Sequence, residues 1–194
     1  MCPRLREFDP EEALDRAVDL FWEKGYEGTS MQDLVDHMGI NRFSIYNTFG
    51  SKRRLFLLAC QRYQEQVIEK MIGEMQARES GLEGIKQFFR QLEKSYVTGQ
   101  LDRGCLMINT IAEKAYQDPE IRECTRVFLE RLEDAFYQAL RKAQQAGELK
   151  TITTLRYLAQ FLVGVVNGIS VVNKTYRDPG RVRHLIDIAL GMLN

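Results

Sequence analysis

The sequence predicts an all-α protein of about nine helices. Apolar residues recur three and four positions apart along most of the 194 residues, which is the period of a helix with one buried face. The alternation of apolar and polar residues that is typical of strands is absent. Three of the four prolines follow an aspartate, and Asp as N-cap with Pro in the first turn is typical of a helix start. These pairs are Asp9-Pro10, Asp118-Pro119 and Asp178-Pro179.

Glycines and capping residues divide the N-terminal part into short helices. Gly25 and Gly39 follow the last turns of the first two helices, where a left-handed residue commonly ends a helix. Ser30, with Asp33 three positions later, resembles a capping box at the start of the second helix, and Asn41 is the predicted N-cap of the third. The predicted ranges of these three helices are 10–24, 31–38 and 42–48.

A long fourth helix is predicted from the N-cap Ser51 to about Ala77. It would connect the three short helices to a larger helical bundle. The helices of that bundle are predicted near 82–97, 105–116, 119–146, 154–176 and 179–193. The expected domains are therefore residues 1–52, containing the short helices, and residues 53–194, containing the bundle.

The second and third helices, joined by Gly39-Ile40-Asn41, have the spacing of a helix-turn-helix motif, although an ordinary helical hairpin has it too. At 100° per residue, Ile45 and Phe49 face the core. Arg pairs with guanine edges, Asn pairs with adenine, and an apolar ring can contact a thymine methyl. The outward face of the third helix carries these residue types without a carboxylate, as a helix that reads the major groove does. Phe43, Ser44 and Asn47 lie on this face, with Tyr46 flanking them and Arg42 at the exposed N-terminus.

The charge distribution supports contact with nucleic acid. The chain has 27 basic and 27 acidic residues, yet no Asp or Glu occurs from His37 to Tyr63. Lys52, Arg53 and Arg54 occupy the first turn of the fourth helix, where the helix dipole disfavours cations. A DNA phosphate at this turn would contact both the free N–H groups and Lys52. Solvated surface is the alternative, and it applies most to Arg53 and Arg54.

The run GYEGTSMQDLVDHMGINRFSIYNTFGSKRRLF, Gly25 to Phe56, resembles the DNA-binding domain of the TetR/AcrR family of transcriptional regulators. The resemblance implies an N-terminal three-helix DNA-binding domain joined by a long helix to a C-terminal bundle that binds ligands and dimerises. It implies that Thr29, Tyr46 and Lys52 contact phosphates and that the third-helix residues face bases, with Ser30 in the same surface. Phe43 departs from the family pattern, in which a small residue is more common.

The predicted helix near 154–176 is apolar nearly all round, so it should be buried on most sides. Its small residues Gly164 and Gly168 would allow close approach of another helix, either in a dimer, as the resemblance favours, or within the chain. The predicted dimer residues on this helix and the last one are Leu158, Phe161, Gly164, Val165, Gly168, Val172, Leu185 and Ile188.

A ligand pocket is expected inside the bundle, although aromatic and Met residues at helical spacing equally form plain core. The candidate lining residues are Phe88, Tyr96, Cys105, Met107, Thr110, Phe128, Tyr137 and Phe161. Cys105 is predicted at a helix start near Arg103, and both features lower a thiol pKa. A redox- or electrophile-sensing regulator acting through Cys105 is therefore an alternative to a ligand-responsive repressor, and a buried packing residue is the simpler interpretation of the thiol.

Other function classes find little support. Two histidines, four cysteines without a CxxC pair and scattered carboxylates predict no metal site, no cofactor and no enzyme. No apolar run approaches the roughly 20 residues of a membrane span, and no secretion signal is seen, so a cytoplasmic protein is expected. The expected partners are double-stranded operator DNA, a small-molecule effector and a second copy of the chain. A helical adaptor without DNA binding is the remaining alternative, and the basic segment argues against it.

Overall fold

A computed structural model describes residues 8–150 and 153–193, which form helices and no strand; Cys2 lies outside these ranges. One π-helical turn (Gln64–Ile68) joins α4 to α5, and another (Ile111–Ala115) extends α7. With α4 to α5 counted as one continuous path, the described residues contain nine helical segments, which confirms the predicted number. The α-helices are α1 (Pro10–Lys24), α2 (Met31–Met38), α3 (Arg42–Phe49), α4 (Lys52–Tyr63), α5 (Glu69–Gln76), α6 (Gly81–Val97), α7 (Leu106–Thr110), α8 (Pro119–Gln145), α9 (Leu155–Tyr176) and α10 (Pro179–Gly191).

The predicted caps begin the helices as expected. Asp9 and Asp178 each accept a hydrogen bond from a backbone N–H in the following turn, at 2.9 Å. Asp118 accepts from two such groups, those of Glu120 and Ile121, at 3.0 and 3.1 Å. Each of these bonds satisfies a donor that the helix itself leaves free, so the Asp-Pro pairs set the starts of α1, α8 and α10.

The helices α1 to α4, called the head here, form a small unit around an aromatic centre. The Phe56 ring lies edge-on to Phe21, with the ring centroids 4.9 Å apart, and lies 5.0 Å from Tyr26. Leu34 of α2 and Ile45 of α3 are fully buried against this centre. The core residues thus hold α3 by one face and leave its other face to solvent.

The connection between the head and the rest of the chain differs from the prediction in one respect. A single helix was expected from Ser51 to about Ala77, but the π-helical turn interrupts it at Gln64–Ile68. The predicted helix at 105–116 is interrupted in the same way at Ile111–Ala115. In a π turn one extra residue is accommodated per turn, and such turns are frequent near functional sites.

The helices α5 to α10, called the C-terminal domain here, pack around a second aromatic cluster. Phe88 and Phe89 of α6 both contact Phe136 of α8, at centroid distances of 5.0 and 5.9 Å. Helix α9 packs between α8 and α10. It is long and apolar enough, by length and composition alone, to cross a membrane, so the expectation that no segment approaches this limit is wrong. Its buried residues, among them Leu162 and Ile169, belong to the core of this domain.

Candidate nucleic-acid interface

Helix α3 presents the predicted reading surface. Asn41 caps the helix, its side chain accepting from the backbone N–H of Ser44 at 2.8 Å. Arg42, Tyr46 and Asn47 are exposed, Ser44 is half-buried, and Phe43 is 74% exposed. A phenylalanine left so far out of the core can pack against a nucleotide base without disturbing the fold. The structure thus brings together the five residues predicted to form its outward surface.

Thr29 and Ser30, both predicted to lie in the DNA-binding surface, have different surroundings. Thr29 is fully buried, and its hydroxyl donates to the Gly25 carbonyl at 2.6 Å. The expected phosphate contact of the Thr29 side chain therefore does not fit this position, because the hydroxyl is buried and already donates to a carbonyl within the turn between α1 and α2. Ser30 is exposed and forms the predicted capping box with Asp33.

Lys52 lies beside α3 at the start of α4 and has an aromatic partner. Its ammonium lies over the Tyr26 ring, 4.3 Å from the centroid. In the described ranges no carboxylate lies within 4.0 Å of it, so this cation has no direct ion pair within the chain. The pKa of Glu27 is lowered by an ion pair with Lys114 and to a lesser extent by Lys52. The α4 N-terminus, with Ser51 as its cap, thus combines free charge and free N–H donors.

Arg53, the next residue, points away from the α3 surface. Its Nε and Nη2 donate to the two carboxylate oxygens of Asp118, each at 2.7 Å, and its Nη1 contacts Glu120. The Arg53 guanidinium holds the pKa of Asp118 at about 2. The alternative of mere solvated surface is thus wrong for Arg53: the side chain joins the head to the start of α8.

Arg62, also in the carboxylate-free segment, is likewise paired inside the chain. It donates to Asp15 at 2.7 Å and to Glu11 at 2.8 Å, both on α1. Of the five cations in the segment, Arg42, Lys52 and Arg54 therefore make no ion pair with residues in the described ranges. These three set the positive charge of the surface around α3.

Three further contacts connect the head to the residues on either side of α7, and no local feature of the sequence indicates them. Glu113, in the π-helical turn after α7, accepts from the backbone N–H groups of Tyr26 and Glu27 at 3.0 and 2.8 Å. The Trp22 indole donates to the Gly104 carbonyl at 2.8 Å. Only the tertiary fold places these residues together, because they lie more than 80 positions apart. They fix the turn between α1 and α2, and hence the position of the helix-turn-helix, against the C-terminal domain.

The predicted ligand residues divide into three groups. Phe88, Tyr96, Cys105 and Phe128 line one small enclosed cavity. Met107 and Thr110 are buried outside that cavity. Tyr137 lies half-buried beneath the Arg156 guanidinium, and Phe161 is 37% exposed. Two of the eight, Tyr137 and Phe161, therefore lie at the surface rather than inside the bundle.

Cys105 does not have the surroundings of a reactive thiol. It is buried, and burial raises the pKa of its thiol above the ordinary value, outweighing the N–H groups at the start of α7. The Arg103 guanidinium lies over the Trp22 ring, 4.6 Å from its centroid. The expectation of a lowered pKa at Cys105 is therefore wrong.

The predicted dimer residues mostly lie on one exposed apolar stripe of α9. Gly164 and Gly168 are exposed, and a Cβ at either would meet no atom within 4 Å. Phe161 and Val171 are exposed on the same side. Val165, Val172 and Leu185 are half-buried, and Ile188 of α10 is exposed. Leu158 is buried against the chain's own core, so it does not belong to this stripe.

Comparison with known proteins gives matches over nearly the whole chain. A family model described as "Bacterial regulatory proteins, tetR family" matches residues 13–59, and one described as "Tetracyclin repressor-like, C-terminal domain" matches residues 81–189. The chain is 35% identical over 192 residues to the uncharacterized HTH-type transcriptional regulator YezE of Bacillus subtilis, covering 98% of this chain and 99% of YezE. It is 28% identical to the HTH-type transcriptional repressor ComR of Escherichia coli, covering 96% of this chain and 88% of ComR.

A solved structure shares the whole architecture. The TetR family transcriptional regulator CifR, as a cysteine mutant complexed with 26-base-pair double-strand operator DNA, superposes with a TM-score of 0.89. The two chains are 28% identical, and the match covers 99% of this chain and 100% of CifR.

Proposed function

Since this chain belongs to the TetR family of DNA-binding transcriptional regulators, we propose that it is a repressor that binds a palindromic operator as a dimer and leaves it when a small-molecule effector binds. It acts in the cytoplasm, where the DNA is. The observation that carries the proposal is the surface of α3, where Arg42, Phe43 and Asn47 are exposed on a helix that has no acidic residue of its own.

The proposed contacts divide into those that position the protein and those that read sequence. Lys52 and the free N–H groups of the α4 N-terminus bind a phosphate, which fixes the depth of α3 in the groove. Ser30 and Tyr46 contact the backbone on either side. Arg42 and Asn47 form bidentate pairs with guanine and adenine edges.

The dimer forms through the exposed apolar stripe of α9 together with α10. Gly164 and Gly168 leave open space beside the α9 backbone, which a partner helix can occupy at close range. A two-fold axis at this stripe would place two heads side by side. Repression agrees with the name of ComR, and the operator complex of CifR supports DNA as the partner.

Release follows from the contacts between the head and the C-terminal domain. A shift of α7 or α8 caused by an effector would move Glu113 and Asp118, and with them the turn before α2 and the start of α4. The two heads would then no longer match the half-site spacing. By linkage, operator DNA weakens effector binding by the same factor.

Selection of binding sites from a random pool of duplex DNA tests the proposal. The purified protein is expected to enrich an inverted repeat at about 150 mM salt, with half-sites about 34–36 Å apart or somewhat more. The same selection with the Asn47→Ala variant is the matched comparison, because the selected sequence should lose its preference at one base-pair position in each half-site. Enrichment of single half-sites would contradict binding as a dimer. A folded protein that enriches no sequence would contradict the proposed operator.

A further inference from the structure

A short segment before α7, Arg103 to Cys105, connects α1 of the head with α9 of the C-terminal domain. Towards α1, the Gly104 carbonyl accepts from the Trp22 indole N–H at 2.8 Å. The Arg103 guanidinium lies over the same indole ring, 4.6 Å from its centroid, and donates to the Asp19 backbone carbonyl at 3.1 Å. Three contacts thus hold the C-terminal half of α1 on this segment.

The same segment is also bound to α9. The Ser170 hydroxyl accepts from the backbone N–H of Cys105 at 3.1 Å, and both residues are buried. The Asn109 amide donates to the Arg103 carbonyl at 2.9 Å, and its oxygen accepts from the Lys174 ammonium at 3.0 Å. Helix α9 therefore fixes the segment on which α1 rests.

The two central hydrogen bonds belong to one peptide group, called the bridging peptide here. The Gly104 carbonyl and the Cys105 N–H are the two polar ends of the bond between these residues. The bond is trans, so its carbonyl and its N–H point in opposite directions from one rigid plane. Gly104 has a φ of 74°, a left-handed value that suits glycine. One planar group thus joins the Trp22 indole to the Ser170 hydroxyl.

On α9, the bridging peptide and the exposed apolar stripe lie on opposite faces. Gly168 precedes Ser170 by two positions, which places the two residues about 160° apart around the helix. Ser170 is 2% exposed, whereas Gly168 is exposed and leaves open space beside the backbone. A second subunit packed on the stripe, as proposed above, would be separated from the bridging peptide by the thickness of one helix.

We propose that the bridging peptide sets the spacing of the operator half-sites, with Trp22 and Ser170 as its positioning residues. The proposal rests on the dimer and the inverted repeat proposed above. One base pair changes the separation of two half-sites by about 3.4 Å and their relative rotation by about 35°. A head that is joined to the dimer helix through a rigid group follows such a change by breaking one of the two hydrogen bonds.

Binding to a series of inverted repeats tests the proposal. The half-sites selected by the unmodified protein are kept, and the number of base pairs between them is changed by one or two. Trp22→Phe keeps an aromatic ring and removes the N–H donor, and Ser170→Ala removes the acceptor. In both variants the affinity ratio between the best spacing and its neighbours should fall about three- to tenfold, because one hydrogen bond no longer has to be broken. Base preferences within each half-site should stay the same.

Thr125→Val is the matched control. The Thr125 hydroxyl is buried and donates to the Arg122 carbonyl at 2.9 Å inside α8, so the variant loses a buried hydrogen bond without altering the bridging peptide. Its affinity ratio should equal that of the unmodified protein. An unchanged ratio in both Trp22→Phe and Ser170→Ala, or the same fall in Thr125→Val, would overturn the proposal.

Fluorescence tests the connection without DNA, because Trp22 is the single tryptophan of the chain. Ser170→Ala should shift the emission maximum of Trp22 and change its quenching by acrylamide, since releasing one end of the bridging peptide moves the carbonyl at the other. Thr125→Val should change neither. Unchanged emission in Ser170→Ala would overturn the proposal, whatever the DNA result.

The two measurements separate this proposal from the function above. If the unmodified protein and both variants bind the inverted repeat with the same preference for one spacing, the operator stands and the bridging peptide does not set its spacing. If the unmodified protein binds no inverted repeat, the proposed operator fails, and the emission of Trp22 still decides whether α9 positions α1.

Discussion

In the head, the polar residues of α3 point into solvent, whereas the hydroxyls of Tyr63, at the end of α4, and Tyr96, in the C-terminal domain, are enclosed among apolar side chains. The first arrangement suits a partner too large to be enclosed, and the second suits one small enough to be surrounded. The two regions also differ in origin. The α3 surface comes from eight consecutive residues, and the cavity is lined by residues of α4 to α9.

Two neighbouring residues show the same contrast at the boundary. Among the described residues Lys52 contacts an aromatic ring and no carboxylate, while Arg53 is bound by two carboxylates at the start of α8. One cation remains available to an external phosphate, and the other is used inside the molecule. Lys52 and Arg53 are neighbours in the first turn of α4, and the direction in which each side chain points decides whether its charge is paired inside the molecule.

Two phenylalanines of the head, one buried and one exposed, should differ most in what their removal does to stability. Phe56→Ala should lower the free energy of unfolding by about 3–5 kcal/mol, because it empties the aromatic centre of the head. Phe43→Ala should change that free energy by less than about 0.5 kcal/mol and instead weaken operator binding. Urea unfolding and DNA titration of both variants check this, and a stability loss in Phe43→Ala would place that ring in the core.

Asn47 tests whether α3 reads bases. Asn47→Ala should lose about 1–3 kcal/mol of preference at one base-pair position per half-site, because one bidentate pair with adenine is removed. Affinity for unrelated DNA should stay the same. Competition titrations against single-base operator variants measure this, and an unchanged preference at every position would mean that another face of the head reads the sequence.

The head was predictable because its signals are local. The capping box of Ser30 and Asp33, and the cap of Asn41, each act within three residues, so sequence alone placed α2 and α3. The outward face of α3 followed from helical period. The Thr29 side chain was expected to contact a phosphate, but a hydroxyl can donate to a nearby carbonyl as readily as to a phosphate, and the folded structure shows that it donates to the Gly25 carbonyl.

The C-terminal domain was predictable in its helices and less so in its contacts. The Asp118-Pro119 pair indicated where α8 starts, but nothing local indicated that Asp118 also binds Arg53. Cys105 was predicted to have a lowered pKa from its place near a helix start and Arg103. Burial, which depends on the packing of the whole domain, reverses that effect.

Lys52 tests how much charge contributes to DNA binding independently of base recognition. Lys52→Ala should weaken binding to all DNA sequences and reduce the slope of log affinity against log salt by about 0.9 units, as one phosphate contact is lost. Titrations at three salt concentrations measure the slope. Lys70→Ala, an exposed lysine on α5, is the control and should leave it unchanged. An unaltered slope in Lys52→Ala would remove this residue from the interface.

Replacing Arg53 should have the smallest effect on stability, and it tests the ion pair that joins the head to the start of α8. Because Arg53 lowers the pKa of Asp118 from 3.8 to about 2, the pair stabilises the folded state above about pH 4, and this contribution is lost as pH falls towards 2. Arg53 is 39% exposed, so solvent weakens the ion pair and its contribution to stability at pH 7 is small. Arg53→Ala should be slightly less stable than the unmodified protein at pH 7, and the difference should close between about pH 4 and pH 2.

Urea unfolding at several pH values measures that difference, with Arg126→Ala as the control. Arg126 pairs with Glu123 and Glu130 on α8 itself, where an exposed ion pair contributes little. The DNA salt slope completes the test. If Arg53 stays on Asp118 in the complex, Arg53→Ala leaves the slope unchanged, in contrast to Lys52→Ala. A slope reduced by about 0.9 units would mean that Arg53 leaves α8 for a phosphate, and that the boundary between the two regions shifts when DNA binds.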